Sequence, residues 1–199
     1  KISTMTIFKK IIRELKFFLI QLIIFFPGGL GNWLRKSYLK NQVQSSGSEI
    51  SVGIGLVLTG GKNICIGSRV NIMRFNHIYA HNGSIELGSD IAINSNTQIG
   101  AADKGRIIIG DQVIIGPNVV LRASDHIYDR VDVPIYKQGH TGGYIIIEND
   151  VWIGANVVIT KDVKVGAHSI IGAGSVVTSD VEPYSVFAGV PAKLIKKRR

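Results

Sequence analysis

Residues 147–178, which read IENDVWIGANVVITKDVKVGAHSIIGAGSVVT, decide the fold of this chain. Every sixth residue of this stretch is aliphatic: Ile147, Ile153, Ile159, Val165, Ile171 and Val177. A period of six matches neither an α-helix nor a two-faced strand. It does fit a solenoid of short strands joined by tight turns, in which three hexads make one triangular coil. We therefore expect these side chains to point inward and to stack from coil to coil.

The same spacing occurs earlier in the chain. Nine further aliphatic residues keep it, in three groups: Ile66, Ile72, Ile78; Leu87, Ile93, Ile99; and Ile109, Ile115, Leu121. Gly follows eight of the fifteen positions, where it either relieves crowding or supplies the backbone conformation of a corner. The pattern predicts an all-β domain over residues 49–192, a parallel solenoid of about five or six coils.

The repeat is interrupted in three places, and the last interruption is the longest. Three residues are inserted between Ile78 and Leu87, four between Ile99 and Ile109, and twenty between Leu121 and Ile147. A long loop on a rigid scaffold is a frequent location for function. The loop over residues 122–146 is polar and contains a histidine between acidic residues, so we predict the active site there.

Charge is divided unevenly along the chain. Residues 1–47 contain eight basic residues and one acid, and residues 193–199 form a basic tail with five cations. Residues 48–192 contain ten basic and thirteen acidic residues. The solenoid is therefore not a basic platform for nucleic acid, and we expect no nucleic-acid partner. The positive ends favour a membrane surface or a phosphate-bearing ligand.

Residues 1–48 are predicted as an amphipathic helical segment. Apolar residues recur every three or four positions from residue 7 to residue 26, and Lys9, Lys10, Arg13 and Lys16 flank them. The segment contains no run of eighteen uncharged apolar residues and no small-residue cleavage site, so we expect neither a spanning helix nor a signal peptide. Two readings remain open: residues 7–26 lie on an anionic membrane, or they pack on their own domain or on a neighbouring subunit. We expect a cytoplasmic protein, and the first reading places it at the inner face of a membrane as a peripheral protein.

The repeat, together with the segments Val151-Trp152-Ile153-Gly154, Ile171-Gly172-Ala173-Gly174 and Ala188-Gly189-Val190-Pro191-Ala192, resembles the hexapeptide-repeat acyltransferases. It is similar to the galactoside, maltose and chloramphenicol acetyltransferases, and to enzymes of capsule or lipopolysaccharide synthesis. The resemblance implies a left-handed parallel β-helix, which parallel-strand chirality alone does not predict. It also implies a homotrimer with sites between subunits.

The resemblance places the general base at His126, which lies at the start of the long loop. An imidazole can accept a proton from an alcohol at neutral pH. Asp125, Asp129 or a backbone carbonyl would orient it. His140 shares the loop, either in the site or at the surface. Cys65 lies outside the loop, which favours direct transfer without an acyl-enzyme.

The resemblance also implies the substrate-binding residues. The acceptor would be bound by Asn94, Asp103 and Asp125. Acetyl-CoA would meet Trp152 near its thioester and the backbone at Ala155 and Ala173 along its arm. Its nucleotide end would meet Thr178, Lys193 and Lys196. No metal is implied.

These residues predict an acetyl-CoA-dependent O-acetyltransferase acting on a saccharide of a cell-surface polymer. Three alternatives remain: N-acetyl transfer to an amino sugar, a non-catalytic membrane-associated scaffold, and a zinc hydratase on the same solenoid. The hydratase requires three converging histidines. The spacings of His77 with His81, and of His126 with His140, do not match the spacing known in that family.

Overall fold

A computed structural model describes residues 4–199, with side chains from residue 8 onward. Residues 1–3 of the predicted N-terminal segment lie outside the described residues. Two helices, α1 (Thr4–Phe25) and α2 (Gly28–Gln42), precede a solenoid of parallel strands. The predicted β-solenoid with an N-terminal helical segment is therefore confirmed, and the left hand of its coil stays a prediction.

Three sheets form the faces of the solenoid, and successive strands visit them in turn. Sheet 1 contains β1 (Ser45–Ser46), β4 (Ile64–Ile66), β7 (Ser84–Leu87), β10 (Arg106–Ile109), β15 (Tyr144–Ile147) and β18 (Val163–Val165). Sheet 2 contains β2 (Ser51–Val52), β5 (Asn71–Ile72), β8 (Ala92–Ile93), β11 (Ile114–Ile115), β16 (Trp152–Ile153), β19 (Ile170–Ile171), β21 (Ser185–Gly189) and β22 (Ala192–Lys197). Sheet 3 contains β3 (Val57–Thr59), β6 (His77–His81), β9 (Gln98–Ala102), β12 (Val120–Arg122), β17 (Val158–Ile159) and β20 (Val176–Val177). These strands make six coils.

All fifteen repeat positions are buried, as the period predicts. The strand register places the repeat positions of successive coils directly above one another: Ile115 pairs with Ile93 in the preceding coil and with Ile153 in the following one. Each fully buried aliphatic side chain contributes about 1.5–3 kcal/mol relative to an exposed one. No single coil can bury its own apolar edge, so the stack of coils supplies the core.

Asn, Asp and other residues with positive φ form many of the corners. Ten of them follow a repeat position by three residues: Arg69, Phe75, Asp90, Asn96, Gln112, Asn118, Asp150, Asn156, Asp162 and His168. Asn and Asp tolerate this left-handed conformation because their short polar side chains bond locally. Glycines such as Gly116 and Gly154 relieve crowding instead. A Cβ on Gly154 would lie 2.6 Å from the backbone nitrogen of Ala173 in the next coil.

The helices close one end of the solenoid. Leu39 and Val43 are buried in the same apolar core as the first coil. The buried Arg35 donates to the carbonyl of Val52 at 2.8 Å and to that of Phe26 at the end of α1. Burial lowers the pKa of Arg35 from its usual value. These bonds tie both helices to the first coil.

The other end of the solenoid is covered by an antiparallel pair. β21 continues sheet 2 and β22 folds back along it, so residues 192–197 of the basic C-terminus are ordered as a strand. In the part of the chain that the structure describes, no helix is both long and apolar enough to cross a membrane.

Candidate active site

The long loop begins as a β-hairpin that projects from the solenoid between the fourth and fifth coils. Strand β13 (Ser124–His126) pairs antiparallel with β14 (His140–Gly142). At the base of the hairpin, the amide of Gly143 donates to the carbonyl of Ala123 at 2.8 Å. The buried Ala123 and Ser124 anchor this base, whereas His126 is exposed. The solenoid thus presents His126 to solvent from a rigid support.

His126 faces His140 directly across the two strands. Their ring centroids are 4.1 Å apart and the rings are inclined by 41°. The Nδ1 atom of His140 lies 3.7 Å from a carboxylate oxygen of Asp103. Asp103 follows β9, in the turn made by the four-residue insertion. Two of the three interruptions of the repeat therefore meet at His140, whose ring lies against that of His126.

Gln138 holds the outer part of the loop together. Its side-chain amide donates to the carbonyls of Arg130 and Val133, each at 2.7 Å, and its oxygen accepts from the amide of Arg130. The amide of Ile127 also donates to the carbonyl of Gly139 at 3.0 Å. The loop consequently has a defined shape around a cavity of about 270 Å³ beside His126. Asp125, Tyr128, Asp129 and Lys161 share this lining.

A second, apolar groove runs over the outer face of sheet 2. It encloses about 530 Å³ and is lined by Trp152, Ala155, Ala173 and Asn94 among others. Trp152 is 53% exposed, because it precedes the inward Ile153 and points outward. Ile114, Trp152 and Ile170 lie in register on three successive strands, which makes an apolar row along the solenoid. Such a groove suits a long, narrow and largely uncharged ligand.

The groove leads to a basic cavity of about 550 Å³ at the C-terminal strand. Ile170 lines both. The other lining residues are Val186, Lys196, Lys197, Arg198 and Arg199. Lys197 pairs with Glu182, and Arg198 lies 3.0 Å from Asp150. An apolar channel that ends among cations can hold a molecule with an apolar arm and an anionic head.

The structure divides the predicted site residues into two groups. Asp103 and Asp125 lie with His126, whereas Asn94 lies in the sheet 2 groove with Trp152. The Asn94 side-chain oxygen accepts from the amide of Ser95 at 2.7 Å.

Ala155 and Ala173 line the sheet 2 groove, and Lys196 lines the basic cavity. Their role in binding acetyl-CoA stays a prediction. Thr178 is exposed just beyond β20, and Lys193, on β22, pairs with Ala188 of β21. Neither residue lines the groove or the basic cavity.

Sequence reasoning missed several lining residues. Ile114, Ile170 and Val186 each precede an inward residue, as Trp152 does, so the same argument applied to every coil identifies them. Lys197, Arg198 and Arg199 were visible only as part of a basic tail. Among the described residues, no three His, Cys, Asp or Glu side chains form a group that could hold a metal ion.

Comparison with known proteins identifies the repeats of this chain and several relatives. A family model described as bacterial transferase hexapeptide, with six repeats, matches residues 144–179. Galactoside O-acetyltransferase of Escherichia coli K12 is 39% identical over 120 residues, which are 60% of this chain and 57% of that enzyme. Residues 144–179 of this chain thus contain the repeats of the bacterial hexapeptide transferases. Its match spans only about half the length of the curated relatives.

Two solved structures share the fold of this chain. A hexapeptide-repeat acetyltransferase of Vibrio cholerae, complexed with acetyl coenzyme A, is 25% identical with a TM-score of 0.63. The alignment covers 90% of this chain and 83% of that one. AntD of Bacillus cereus, an N-acyltransferase solved with an amino sugar nucleotide and coenzyme A, is 23% identical with a TM-score of 0.73. That alignment covers 83% of this chain and 89% of AntD, and it bears on the fold alone.

Proposed function

We propose that this protein transfers an acetyl group from acetyl-CoA to a hydroxyl group of a saccharide. The observation that carries the proposal is the pairing of two features on one scaffold. An exposed imidazole projects on a rigid hairpin, and an apolar groove ends in a basic cavity. The exposed imidazole of His126 can act as a general base. The groove with its basic end fits the shape and charge of coenzyme A.

Different residues of the groove and the basic cavity would bind different parts of acetyl-CoA, which supplies the reactive thioester. Ala155 and Ala173 expose backbone to the groove, because each has no side chain beyond Cβ. Trp152 offers a flat apolar surface beside them. Lys196 and Arg199 supply positive charge at the nucleotide end, where the ligand carries phosphates.

His126 performs the proton transfer. An imidazole nitrogen accepts the proton of the acceptor hydroxyl as its oxygen bonds to the carbonyl carbon of the thioester. The bond from that carbon to sulfur then breaks, and the proton passes from His126 to the departing thiolate or to solvent. The loop has no cysteine, so no acyl-enzyme is required.

An O-linked product is favoured over an N-linked one. The relative with 39% identity is a galactoside O-acetyltransferase, whereas the amino sugar enzyme AntD shares 23% identity and the fold. We place the acceptor among saccharide intermediates of cell-surface polymers.

The proposed assembly is a homotrimer at the cytoplasmic face of a membrane. The two groups of site residues on one chain support a site completed by a neighbouring copy. In such a site His126 of one copy would face the sheet 2 groove of the next.

Thiol release from acetyl-CoA tests the proposal. Purified wild type is incubated with a panel of sugars, nucleotide sugars and lipid-linked sugars, next to His126→Ala. We expect acceptor-dependent release that falls by about a hundredfold or more in the variant, the usual contribution of a positioned base. His81→Ala, which removes another exposed imidazole, is the matched control and keeps the wild-type rate.

Two results would contradict the proposal. Full activity in His126→Ala would remove His126 from the role of base. Absence of thiol release with every acceptor, together with absence of coenzyme A binding, would contradict the transferase function itself.

A further inference from the structure

Helix α1 turns its apolar stripe away from the protein. Phe8, Ile11, Leu15, Phe18 and Leu22 recur every three or four residues, and each is 50–63% exposed. The described side chains of the helix that are not exposed are Ile20, Gln21, Ile23 and Ile24. Residues two positions apart point to nearly opposite sides of an α-helix.

The side of α1 that packs is therefore the reverse of its apolar stripe. Amphipathic helices of globular proteins normally do the opposite and bury their stripe. The apolar stripe of α1 is therefore exposed on this chain, and we expect another molecule or a membrane to shield it from water.

The exposed apolar surface continues past the end of α1. Phe25, Phe26 and Leu30 surround the junction of the helices at Pro27, and Trp33 lies one turn further on α2. Leu30 and Trp33 are each about 60% exposed, whereas Gly31, Arg35 and Leu39 on the other side of α2 are buried. We name the outward side chains of both helices, from Phe8 to Trp33, the helical apolar surface. Proteins rarely leave so many large apolar side chains together in water without a function.

Cations lie along the same helix. Lys9, Lys10, Arg13 and Lys16 occupy the first half of α1, and the one acid of the described part of this helix, Glu14, lies 3.5 Å from Arg13. Lys9, Arg13 and Lys16 follow the spacing of one helix side, which is the side opposite the apolar stripe. A helix with this division places apolar side chains among acyl chains and extends lysines toward headgroup phosphates.

We propose that the helical apolar surface docks on a lipid bilayer containing anionic headgroups, with α1 lying in the plane of the interface. Trp33 would lie at the membrane–water interface, where tryptophan is enriched in membrane proteins. Arg35 holds both helices on the first coil, so docking would orient the whole solenoid.

A bilayer fits the surface better than a second copy of the chain does. Beyond the stripe, Ile12, Phe17, Leu19 and Phe25 are 50–59% exposed, so the exposed apolar surface of α1 is wider than one stripe. A neighbouring helix buries a single stripe, whereas a lipid phase surrounds the wider surface. A cyclic trimer would also turn all three surfaces toward the same side, which multiplies the binding strength.

Vesicle flotation with the purified full chain tests the proposal. Phosphatidylcholine vesicles are compared with vesicles that also contain phosphatidylglycerol. Wild type is expected to float with the anionic vesicles, and added salt should release part of it. The triple variant Lys9→Gln, Lys10→Gln, Lys16→Gln should partition on the order of a hundredfold less to anionic vesicles.

The apolar contribution is tested by Leu15→Ser with Phe18→Ser, which should lower partitioning by about tenfold or more on both kinds of vesicle. Val131→Ser with Tyr136→Ser is the matched control, because it removes two exposed apolar side chains from the long loop and should float as wild type does.

Wild type that stays unbound on anionic vesicles would overturn the proposal. So would a Leu15→Ser, Phe18→Ser protein that floats like wild type, or one whose only change is a smaller assembly in sedimentation without lipid. The last result would assign the surface to another copy of the chain. Flotation needs no acyl transfer, so this outcome is independent of the proposed function.

Discussion

The contact between His126 and His140 depends on residues that lie far apart in the chain. Asp103 belongs to one interruption of the repeat and both histidines belong to another, yet the structure brings all three together. The ring of His140 lies against that of His126 and restricts its orientation. Asp103 lies 3.7 Å from His140, with both side chains more than 40% exposed, so this pair contributes at most about 1 kcal/mol.

We expect His140→Ala to lower kcat by about tenfold with little change in KM, because the His126 ring loses a neighbour whose contact is worth about 0.5–1.5 kcal/mol. His140→Phe keeps a ring at that place and should retain most of the activity. Steady-state kinetics with both variants measures the difference. A rise in KM with kcat unchanged would instead place His140 in substrate binding.

Asp150 adds a side-chain anchor to the end of the C-terminal strand, which also pairs with β21 and forms the Lys197–Glu182 ion pair. Asp150 bonds to the ring of His168 at 2.9 Å and accepts from Arg198 at 3.0 Å, and the amide of Arg198 donates to the carbonyl of Tyr184. The hydrogen bond with His168, followed by that from Arg198, lowers the pKa of Asp150 from its usual value of 3.8. Ionised Asp150 thus helps to hold Arg198, at the end of the strand that lines the basic cavity.

A lowered pKa stabilises the folded state above the unfolded value, and this stability is lost as pH falls through the folded value. We therefore expect the protection of the Arg198 amide against hydrogen exchange, corrected for intrinsic rates, to be constant near neutrality and to fall below about pH 4. Asp150→Asn should weaken protection at every pH and remove its pH dependence. Unchanged protection in this variant would show that β22 is held by its strand pairing alone.

At the scale of the whole molecule, the hairpin and the sheet 2 groove are separate features of one chain. His126 lines one cavity, and Trp152 lines another. The proposed trimer unites them across a subunit boundary, with the base from one copy and the groove from the next.

Co-expression of His126→Ala with Trp152→Ala tests this arrangement. Each mixed trimer would contain one unaltered site, and random assembly should restore about a quarter of wild-type activity although each variant alone is impaired. Thiol release by the mixture, compared with the sum of the two separate variants, measures the recovery. A mixture no more active than that sum would place the whole site within one copy.

The fold and the candidate site differ in how far the sequence predicts them. The inward position of Ile153 can be predicted because it belongs to a series of aliphatic residues spaced six apart, and every coil contains members of such a series. The contact of His126 with His140 has no such periodic signal. It depends on the pairing of two strands within a twenty-residue insertion, whose register the repeat does not set.

The sequence by itself determined the solenoid and the outward position of Trp152, because a strict period leaves each side chain one environment. It also located the long loop and His126 as places where the period fails. Only the tertiary structure decided that Asp103 meets His140, that Asn94 shares the groove of Trp152, and that the stripe of α1 faces outward. These contacts join segments far apart in the sequence, which the six-residue period does not connect. Their distances depend on how the coils stack and, for α1, on the hydrogen bonds of Arg35.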